Sequence, residues 1–242
     1  MITFARYEIV RTFRNRRFFI FSVGFPVVLY FTIAGPNRNE HNFANSGLPA
    51  ALYYMVGLTA FGTMNTVLST GTRIAGERAA GWNRQLRLTP LSTRDYFRTK
   101  VAVAYLMACI TIIVLYASGI SLGVSLPAGE WARMTGLILV GLVPFIALGV
   151  LMGHLLTTDS IGPAMGGTTA LLSLLGGVWF PVNSGALHDI AEALPSYWLV
   201  QASHVSLGGH GWTAKGWFIM AAWAVVLAFA ASWAYRRDTQ RV

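Results

Sequence analysis

Charged residues, cysteines and lysines are scarce in this sequence, and each scarcity excludes a class of protein. Only 11% of the 242 residues are charged, whereas soluble domains carry about 25%, so lipid must solvate much of the chain. The single cysteine, Cys109, excludes an internal disulfide framework and a thiolate metal cluster. Neither of the two lysines, Lys100 and Lys215, stands in a glycine-rich phosphate-binding loop. If the protein uses ATP, another polypeptide binds it.

Apolar residues are abundant, at 55% of the chain, and the formal net charge is +9. A nucleic-acid-binding protein concentrates its basic residues on a water-exposed face. Here the basic residues lie between long apolar runs, which is typical of a membrane protein with basic loops. We therefore expect a lipid bilayer around the chain and no nucleic-acid partner.

Six apolar runs are each about long enough for a helix to cross a hydrocarbon core of about 30 Å. They predict an all-α integral membrane protein with one transmembrane domain, 1–242, whose spans lie at about 18–35, 50–72, 101–125, 134–156, 161–182 and 216–235. For the first run the alternative is a cleaved signal peptide, because a basic region precedes it. Its length, its aromatic residues and the later spans favour a membrane span.

Basic residues predict the orientation of these spans. The N-terminal segment 1–17, the loop 73–100 and the C-terminal arginines hold 15 of the 18 Lys and Arg residues. Short loops with this excess face the cytoplasm, so we expect a multi-pass protein of the cell membrane with both termini inside. Segment 1–17 predicts an amphipathic helix in the headgroup layer, with a solvated basic tail as the alternative.

The loop 73–100 is too charged to enter a bilayer, and it has its own local structure. Residues 79–88 predict a short helix that stops near Thr89, because Pro90 disfavours helical geometry in the residue before it. Ser92 and Asp95 predict a capping box, so the third span should begin at Thr93. The alternative function of this loop is a simple contact of Trp82 and the arginines with anionic headgroups.

The outer loop 183–214 and several glycine pairs predict further packing features. Within the loop, residues 186–194 and 197–207 predict two short helices broken at Pro195, with Ser196 as the cap of the second. Glycines four residues apart allow close helix contact, and the pairs are Gly119 with Gly123, Gly149 with Gly153, and Gly162 with Gly166. We expect Gly162 and Gly166 in the fifth span to form a contact with a second copy.

Candidate chemical groups are few. His154 and Asp159 lie at the inner end of the fourth span, where we interpret them as a helix end that meets water. The outer histidines have no recognised metal-ligand spacing, so we expect no metal there; they are His41, His188, His204 and His210. The rival functional class is a membrane-embedded enzyme that uses these histidines and Asp189.

The sequence resembles permeases of type 2 ATP-binding-cassette exporters in its cytoplasmic loop and its outer region. The loop carries the pattern ERxxG, then L, TPLS and K, formed by Glu77, Arg78, Gly81, Leu86, Thr89, Pro90, Leu91, Ser92 and Lys100. A looser match follows the fifth span, in Gly176, Gly177, Phe180, Pro181, Leu194 and Pro195. The six-span plan and the N-terminal helix also fit, so the resemblance covers nearly the whole chain.

The resemblance implies how such a protein works. The helix from about Gly81 to Leu88 would be a coupling helix that docks on a separate ATPase subunit, and the coupling residues would be Glu77, Arg78, Gly81, Trp82, Leu86, Thr89 and Pro90. ATP and Mg²⁺ would bind that ATPase, and no cofactor would bind this chain. Two permease chains, identical or related, would enclose the substrate path. Phe180, Pro181 and Pro195 would belong to an outer gate. The expected cargo is amphipathic or lipid-like, such as a drug, a glycolipid or a secondary metabolite.

Overall fold

The computed structural model describes residues 2–40, 43, 48–82, 85, 89, 92–182, 184–204 and 212–240, and these residues form helices and no strand. In chain order the helices are α1 Ile2–Arg14, α2 Arg16–Ala34, α3 Ala50–Ala79, α4 Thr93–Ser121, α5 Ala128–Leu155, α6 Thr158–Leu175, α7 Ala186–Glu192, α8 Pro195–His204 and α9 Ala214–Gln240. One π-helical turn, Ile20–Gly24, lies inside α2. The regular α-helix of α5 is interrupted at Leu142, just before Pro144, which has no amide hydrogen to donate.

Four helices within the described residues are long and apolar enough to cross a membrane. They are Arg16–Ala34, Arg94–Ser121, Ala128–Leu155 and Ala214–Asp238. These correspond to the first, third, fourth and sixth predicted spans. The protein is therefore a multi-pass helical membrane protein, and a count of six spans stays a prediction.

The second predicted span lies in α3, which is the central helix of the bundle. Every residue from Ala50 to Met64 is buried, and α3 packs against α2, α4, α5, α6 and α8. Its many threonines bond within the helix; the hydroxyl of Thr63, for example, donates to the carbonyl oxygen of Thr59 at 2.7 Å. Because protein surrounds α3 instead of lipid, this helix can carry more polar residues than the helices at the periphery of the bundle.

A close backbone contact joins α3 to α5 through glycines. A Cβ atom on Gly71 would lie 2.3 Å from the carbonyl carbon of Gly149, and one on Gly153 would lie 2.5 Å from the carbonyl oxygen of Gly71. No side chain fits in this space. The pair Gly149 and Gly153, predicted from its four-residue spacing, therefore forms a close contact inside the chain.

The fifth predicted span is shorter than its apolar run. Helix α6 ends at Leu175, and residues 176–182 continue as turns instead of helix. Gly177 has a φ of 79°, a left-handed conformation that stops a helix and that other residues rarely adopt. The α-helix therefore ends before the predicted boundary at about 182, because an apolar composition does not reveal a turn. The bounds of the membrane span itself stay a prediction.

The outer loop forms two short helices, but their boundary differs from the prediction. The second helix begins at Pro195 itself, so Ser196 is its second residue and is not its cap. Proline is favoured in the first turn of a helix, where an amide hydrogen is not needed. Near these two helices, Lys215 pairs with Glu192, and the ammonium group holds the pKa of that carboxyl below its usual range.

Candidate functional site

The C-terminal end of α3, which the basic residues predict to be cytoplasmic and which we call the inner end, carries three charged residues, Arg73, Glu77 and Arg78. Arg73 and Glu77 are four residues apart and share one face of the helix, whereas Arg78 points to a neighbouring face. Glu77 is only 1% exposed. A carboxylate this buried requires compensating charges and hydrogen bonds, because burial removes its water.

Glu77 meets those requirements through three partners from two other helices. The Nζ atom of Lys100 in α4 lies 2.5 Å from Oε1 of Glu77, and the guanidinium of Arg11 in α1 lies 2.9 Å from the same oxygen. The hydroxyl of Tyr96 in α4 donates to Oε2 at 3.0 Å. Both carboxylate oxygens are therefore bonded, and α1, α3 and α4 are joined at one residue.

A second carboxylate, Glu8 of α1, completes this group. Its Oε1 atom lies 2.5 Å from Nζ of Lys100, whose side chain is only 3% exposed. We call Glu8, Arg11, Glu77, Tyr96 and Lys100 the buried ion cluster. Two carboxylates face two cations within it, so the cluster is close to neutral, which is what a low-dielectric site demands.

Arg78 makes a parallel set of contacts on the other side of α3. Its Nε atom lies 2.7 Å from Oδ2 of Asp238 in α9, and its Nη1 atom donates to the carbonyl oxygens of Gly153 and Leu156 at 3.3 and 3.4 Å. The ring nitrogen Nδ1 of His154 lies 3.1 Å from the same Asp238 oxygen. These bonds tie the ends of α5 and α9 to α3.

Two adjacent residues thus fasten α3 to four other helices. Glu77 holds α1 and α4, and Arg78 holds α5 and α9. We call this set of contacts the inner junction. A displacement of the inner end of α3 would act on all of these helices at once, because each is fixed by a charged hydrogen bond.

The predicted coupling residues adjoin the inner junction. Gly81 follows α3 with a φ of 69°, and the ring of Trp82 stacks on Tyr7 of α1 with centroids 6.2 Å apart. Thr89 is exposed, while Leu86 and Pro90 lie outside the described residues. Glu77 and Arg78, placed in the same predicted set, point into the helix bundle and hold its helices together.

Ser92 caps α4, as the sequence predicts. Its hydroxyl oxygen accepts from the amide of Asp95 at 3.2 Å, and α4 begins at Thr93. The Asp95 carboxylate accepts a hydrogen bond from the Ser92 hydroxyl at 2.8 Å. The start of α4 is therefore fixed within a few residues of Tyr96 and Lys100, which belong to the buried ion cluster.

A large groove opens between α2 and α6, with α3 at its base. Its volume is 1140 Å³, and its walls include the aromatic rings of α2 and the small residues of α6; they are Phe18, Phe21, Phe25, Gly162, Gly166 and Ala170. Phe61 and Trp179 contact each other there with ring centroids 5.7 Å apart. We call this space the α2–α6 groove. It can hold a molecule with an apolar part of considerable size.

A second cavity of 650 Å³ lies at the inner end of α3. It is lined by residues of α1, by Arg73 and Gly76 of α3, and by the first turn of α6. We call it the inner cavity. Asn15 lines both the inner cavity and the α2–α6 groove, so the two spaces are adjacent.

The glycines expected to contact a second copy face open space. Nothing within the described part of the chain would lie within 4 Å of a Cβ atom on Gly162 or Gly166. Both are exposed and line the α2–α6 groove. Gly149 and Gly153 have the same spacing, but the backbone of α3 occupies the space beside them.

The predicted outer-gate residues lie beyond the C-terminal end of α6, away from the inner cavity. Phe180 is 42% exposed, Pro181 is half-buried and Pro195 is buried. The turn before them is fixed by the hydroxyl of Tyr53, which donates to the carbonyl oxygen of Gly177 at 2.8 Å. A bond from α3 therefore positions this outer segment.

The histidines form no metal site among the described residues, where no group of three potential ligands occurs. The Nδ1 atom of His188 lies 2.9 Å from the carbonyl oxygen of Val182, while His41 and His210 lie outside the described residues. The interpretation of His154 as a helix end in water was wrong. Helix α9 packs on α5 and buries this ring, which bonds to Asp238.

Sequence reasoning missed Glu8, Arg11, Tyr96 and Asp238 as parts of this site. The available signal was the rarity of acidic residues, of which the chain has nine. An acidic residue within a basic segment, such as Glu8 in 1–17 or Asp238 among the C-terminal arginines, often marks an ion pair. The partner could not be named, because the paired residues lie far apart in the chain: Glu8 and Lys100 are 92 positions apart, and Arg78 and Asp238 are 160 positions apart.

The helical fold and the charged inner junction define a multi-pass membrane protein whose helices are linked at one end. Residues 35–233 match the profile of the family described as ABC-2 family transporter protein. The chain also resembles YvfS of Bacillus subtilis (strain 168), a protein provisionally assigned as a transport permease. The two are 27% identical over 240 residues, which cover 96% of this chain and 95% of that protein. The chain therefore belongs to the ABC-2 family of transporter proteins.

Proposed function

We propose that this chain is the permease subunit of an ATP-driven exporter, which moves an amphipathic or lipid-like molecule out across the cytoplasmic membrane. A separate ATPase subunit would bind ATP and Mg²⁺ and supply the energy. Family membership supports the transport role and the need for an ATPase partner. The apolar α2–α6 groove supports an amphipathic cargo.

The inner junction is the observation that carries this proposal. The segment 79–90 connects α3 to α4, and Glu77 and Arg78 stand just before it. A push on this segment would move the inner end of α3, and the junction would pass that movement to α1, α4, α5 and α9. Such a network of charged bonds converts a local contact into a movement of whole helices.

The coupling residues would then have two kinds of role. Gly81, Trp82, Leu86, Thr89 and Pro90 would form the surface that meets the ATPase. Glu77 and Arg78 would act behind that surface by keeping the helices joined. The excess of basic residues at this end supports a cytoplasmic location for it and for both termini.

A second permease chain, identical or related, would face the first across α6. The open faces of Gly162 and Gly166 support a contact there, because glycines allow helices to approach closely. The substrate path would run between the two permeases, with the α2–α6 groove as part of its wall. Phe180, Pro181 and Pro195 would close its outer end.

The test is to express the chain with a candidate Walker-type ATPase subunit from the same organism and to measure co-purification, ATP hydrolysis and export in vesicles. Leu86→Asp and Gly81→Val should leave the protein inserted while export is lost, because the first places a charge in the docking surface and the second strains a left-handed turn. Arg98→Gln is the control, since that side chain is 70% exposed and lies outside 79–90. Normal export after replacement of residues 79–90 by a flexible linker would contradict the proposal.

A further inference from the structure

The inner cavity is lined by three arginines, Arg11, Arg14 and Arg73, and the described residues that line it include no carboxylate. Two of these cations already have partners. Arg11 binds Glu77, and Arg73 donates to the hydroxyl of Thr12 at 2.8 Å and lies 5.2 Å from the centre of the Phe18 ring. Arg14 is exposed. No ion pair joins it to any carboxylate in the described ranges.

Arg17 extends this positive charge to the groove. It lines the α2–α6 groove at the end next to Asn15, it is exposed, and it too has no carboxylate within 4 Å in the described part of the chain. The carboxylates of the nearby buried ion cluster are occupied by Lys100 and Arg11. The place where the two cavities meet therefore has an excess of positive charge.

The rest of the groove is different in character. Its wall away from Asn15 is mainly apolar, with aromatic rings, leucines and the small residues of α6, and it includes neutral polar side chains such as Asn65 and Ser69. Arg17 is the only charged residue among the described ones that line it. A long apolar chain fits such a surface because it loses contact with water along its whole length. The two cavities together thus combine a basic end with an apolar body.

We propose that these adjoining cavities bind an amphipath with an anionic headgroup, and that this anionic amphipath is the exported cargo. Its headgroup, a phosphate or a carboxylate, contacts Arg14, Arg17 and Arg73, and its apolar tail lies in the α2–α6 groove. Arginine suits this role because its planar group forms paired bonds with phosphate and carboxylate oxygens. The inference rests on the proposed export function and narrows its cargo to anions.

The test compares two fluorescent lipids with the same acyl chain, lysophosphatidic acid and lysophosphatidylcholine, each with a nitrobenzoxadiazole label. The full-length protein in a nonionic detergent should bind the anionic probe about tenfold or more tightly than the zwitterionic one, as expected for bonds between charged groups. Arg14→Gln and Arg17→Gln should each lower the affinity for the anionic probe several-fold and leave the affinity for the zwitterionic probe unchanged. Both side chains are exposed, so neither change should affect folding.

Arg16→Gln is the matched control. Arg16 is exposed and adjacent to Arg17, but it lines neither cavity. Ala170→Trp, which places a large side chain in the groove, should lower the affinity for both probes. Equal affinity for the two probes, or an equal effect of Arg16→Gln and Arg17→Gln, would overturn the proposal. The proposal would also be overturned if the groove bound neither probe because a helix of a second copy fills it. In that case Ala170→Trp would change the oligomeric state of the protein.

A transport experiment distinguishes an exported cargo from a lipid that binds to the protein without being moved. In vesicles that contain the permease and its ATPase, ATP should move the anionic probe to the opposite leaflet, and Arg17→Gln should slow this movement. Anionic binding without ATP-dependent movement, while the zwitterionic probe is moved, would refute the anionic cargo and leave the export function intact. If neither probe moves but the anionic probe binds through Arg14 and Arg17, the export function fails and the binding site stands.

Discussion

The two sides of α3 differ in how completely the chain fills them. Towards α4, α5 and α9, glycines accept a neighbouring backbone and buried charges are paired. Towards α2 and α6, a groove of 1140 Å³ remains, glycines face open space, and Arg17 has no carboxylate partner among the described residues. We call these the closed side and the open side.

The same sequence feature has opposite roles on the two sides. Gly149 and Gly153 in α5, and Gly162 and Gly166 in α6, are both pairs with four-residue spacing. The first pair is satisfied within the chain, and the second is not. The closed side gives the helices a fixed arrangement, whereas the open side leaves room for the proposed cargo and the proposed second permease.

The largest expected effect is on the closed side, at Lys100. Lys100→Met leaves Glu8 and Glu77 buried with one cation fewer, so it should lower the free energy of unfolding by about 3–5 kcal/mol. Arg98→Met is the control on the same helix, because Arg98 is 70% exposed and 3.8 Å from Asp95; its effect should be about 0–1 kcal/mol. Thermal unfolding in detergent measures both, and equal shifts would show that the buried ion cluster does not stabilise the closed side.

The next effect concerns the contact between α3 and α5. Gly71→Ala places a methyl group 2.3 Å from a backbone carbon of Gly149, so the helices must separate. The expected loss is about 1–3 kcal/mol in the free energy of unfolding. A protein that unfolds at the same temperature as the parent would show that α3 and α5 pack less closely than in this structure.

A smaller effect is expected at Asp238, which joins α9 to α3 and α5. Asp238→Asn removes the charge that Arg78 and His154 share, and it should cost about 1–2 kcal/mol. Asp159→Asn is the control, because Asp159 is exposed near the same end and should change stability by less than about 0.5 kcal/mol. Limited proteolysis should also cut α9 sooner in Asp238→Asn alone.

The smallest effect on stability is expected on the open side. Gly162→Ala and Gly166→Ala add methyl groups that meet nothing, so the free energy of unfolding should stay the same or rise by up to about 1 kcal/mol. Cross-linking between permease copies should nevertheless fall, because the added methyl groups keep two helices apart. A loss of stability comparable to that of Gly71→Ala would remove the distinction between the two sides.

Local sequence signals predicted much of the architecture. The apolar runs located helices that include the four membrane-spanning candidates, and Ser92 with Asp95 predicted the start of α4 at Thr93. These features depend on residues close together in the chain, so a pattern of composition or capping reveals them. The end of α6 at Leu175 was missed because the turn at Gly177 lies within an apolar run.

The candidate site was predicted less completely. The loop pattern drew attention to Glu77, Arg78 and Lys100, but it gave no reason to expect Glu77 to be buried with Glu8 and Arg11. Nor did hydropathy predict that α3 would be the central helix, because its threonines and glycines lower its apolar character. Burial depends on what surrounds a helix, and this is decided only when all helices pack.

The sequence by itself determined an all-helical membrane protein, the location of its basic segments, and the family to which its loop belongs. The tertiary structure decided which glycine pair contacts a neighbouring helix and which faces open space. It also decided that Glu77 and Arg78 face inward and join four helices to α3. The physical reason is distance along the chain. Hydropathy and capping act between near neighbours, whereas Lys100 meets Glu8 across 92 residues, and only packing brings such groups together.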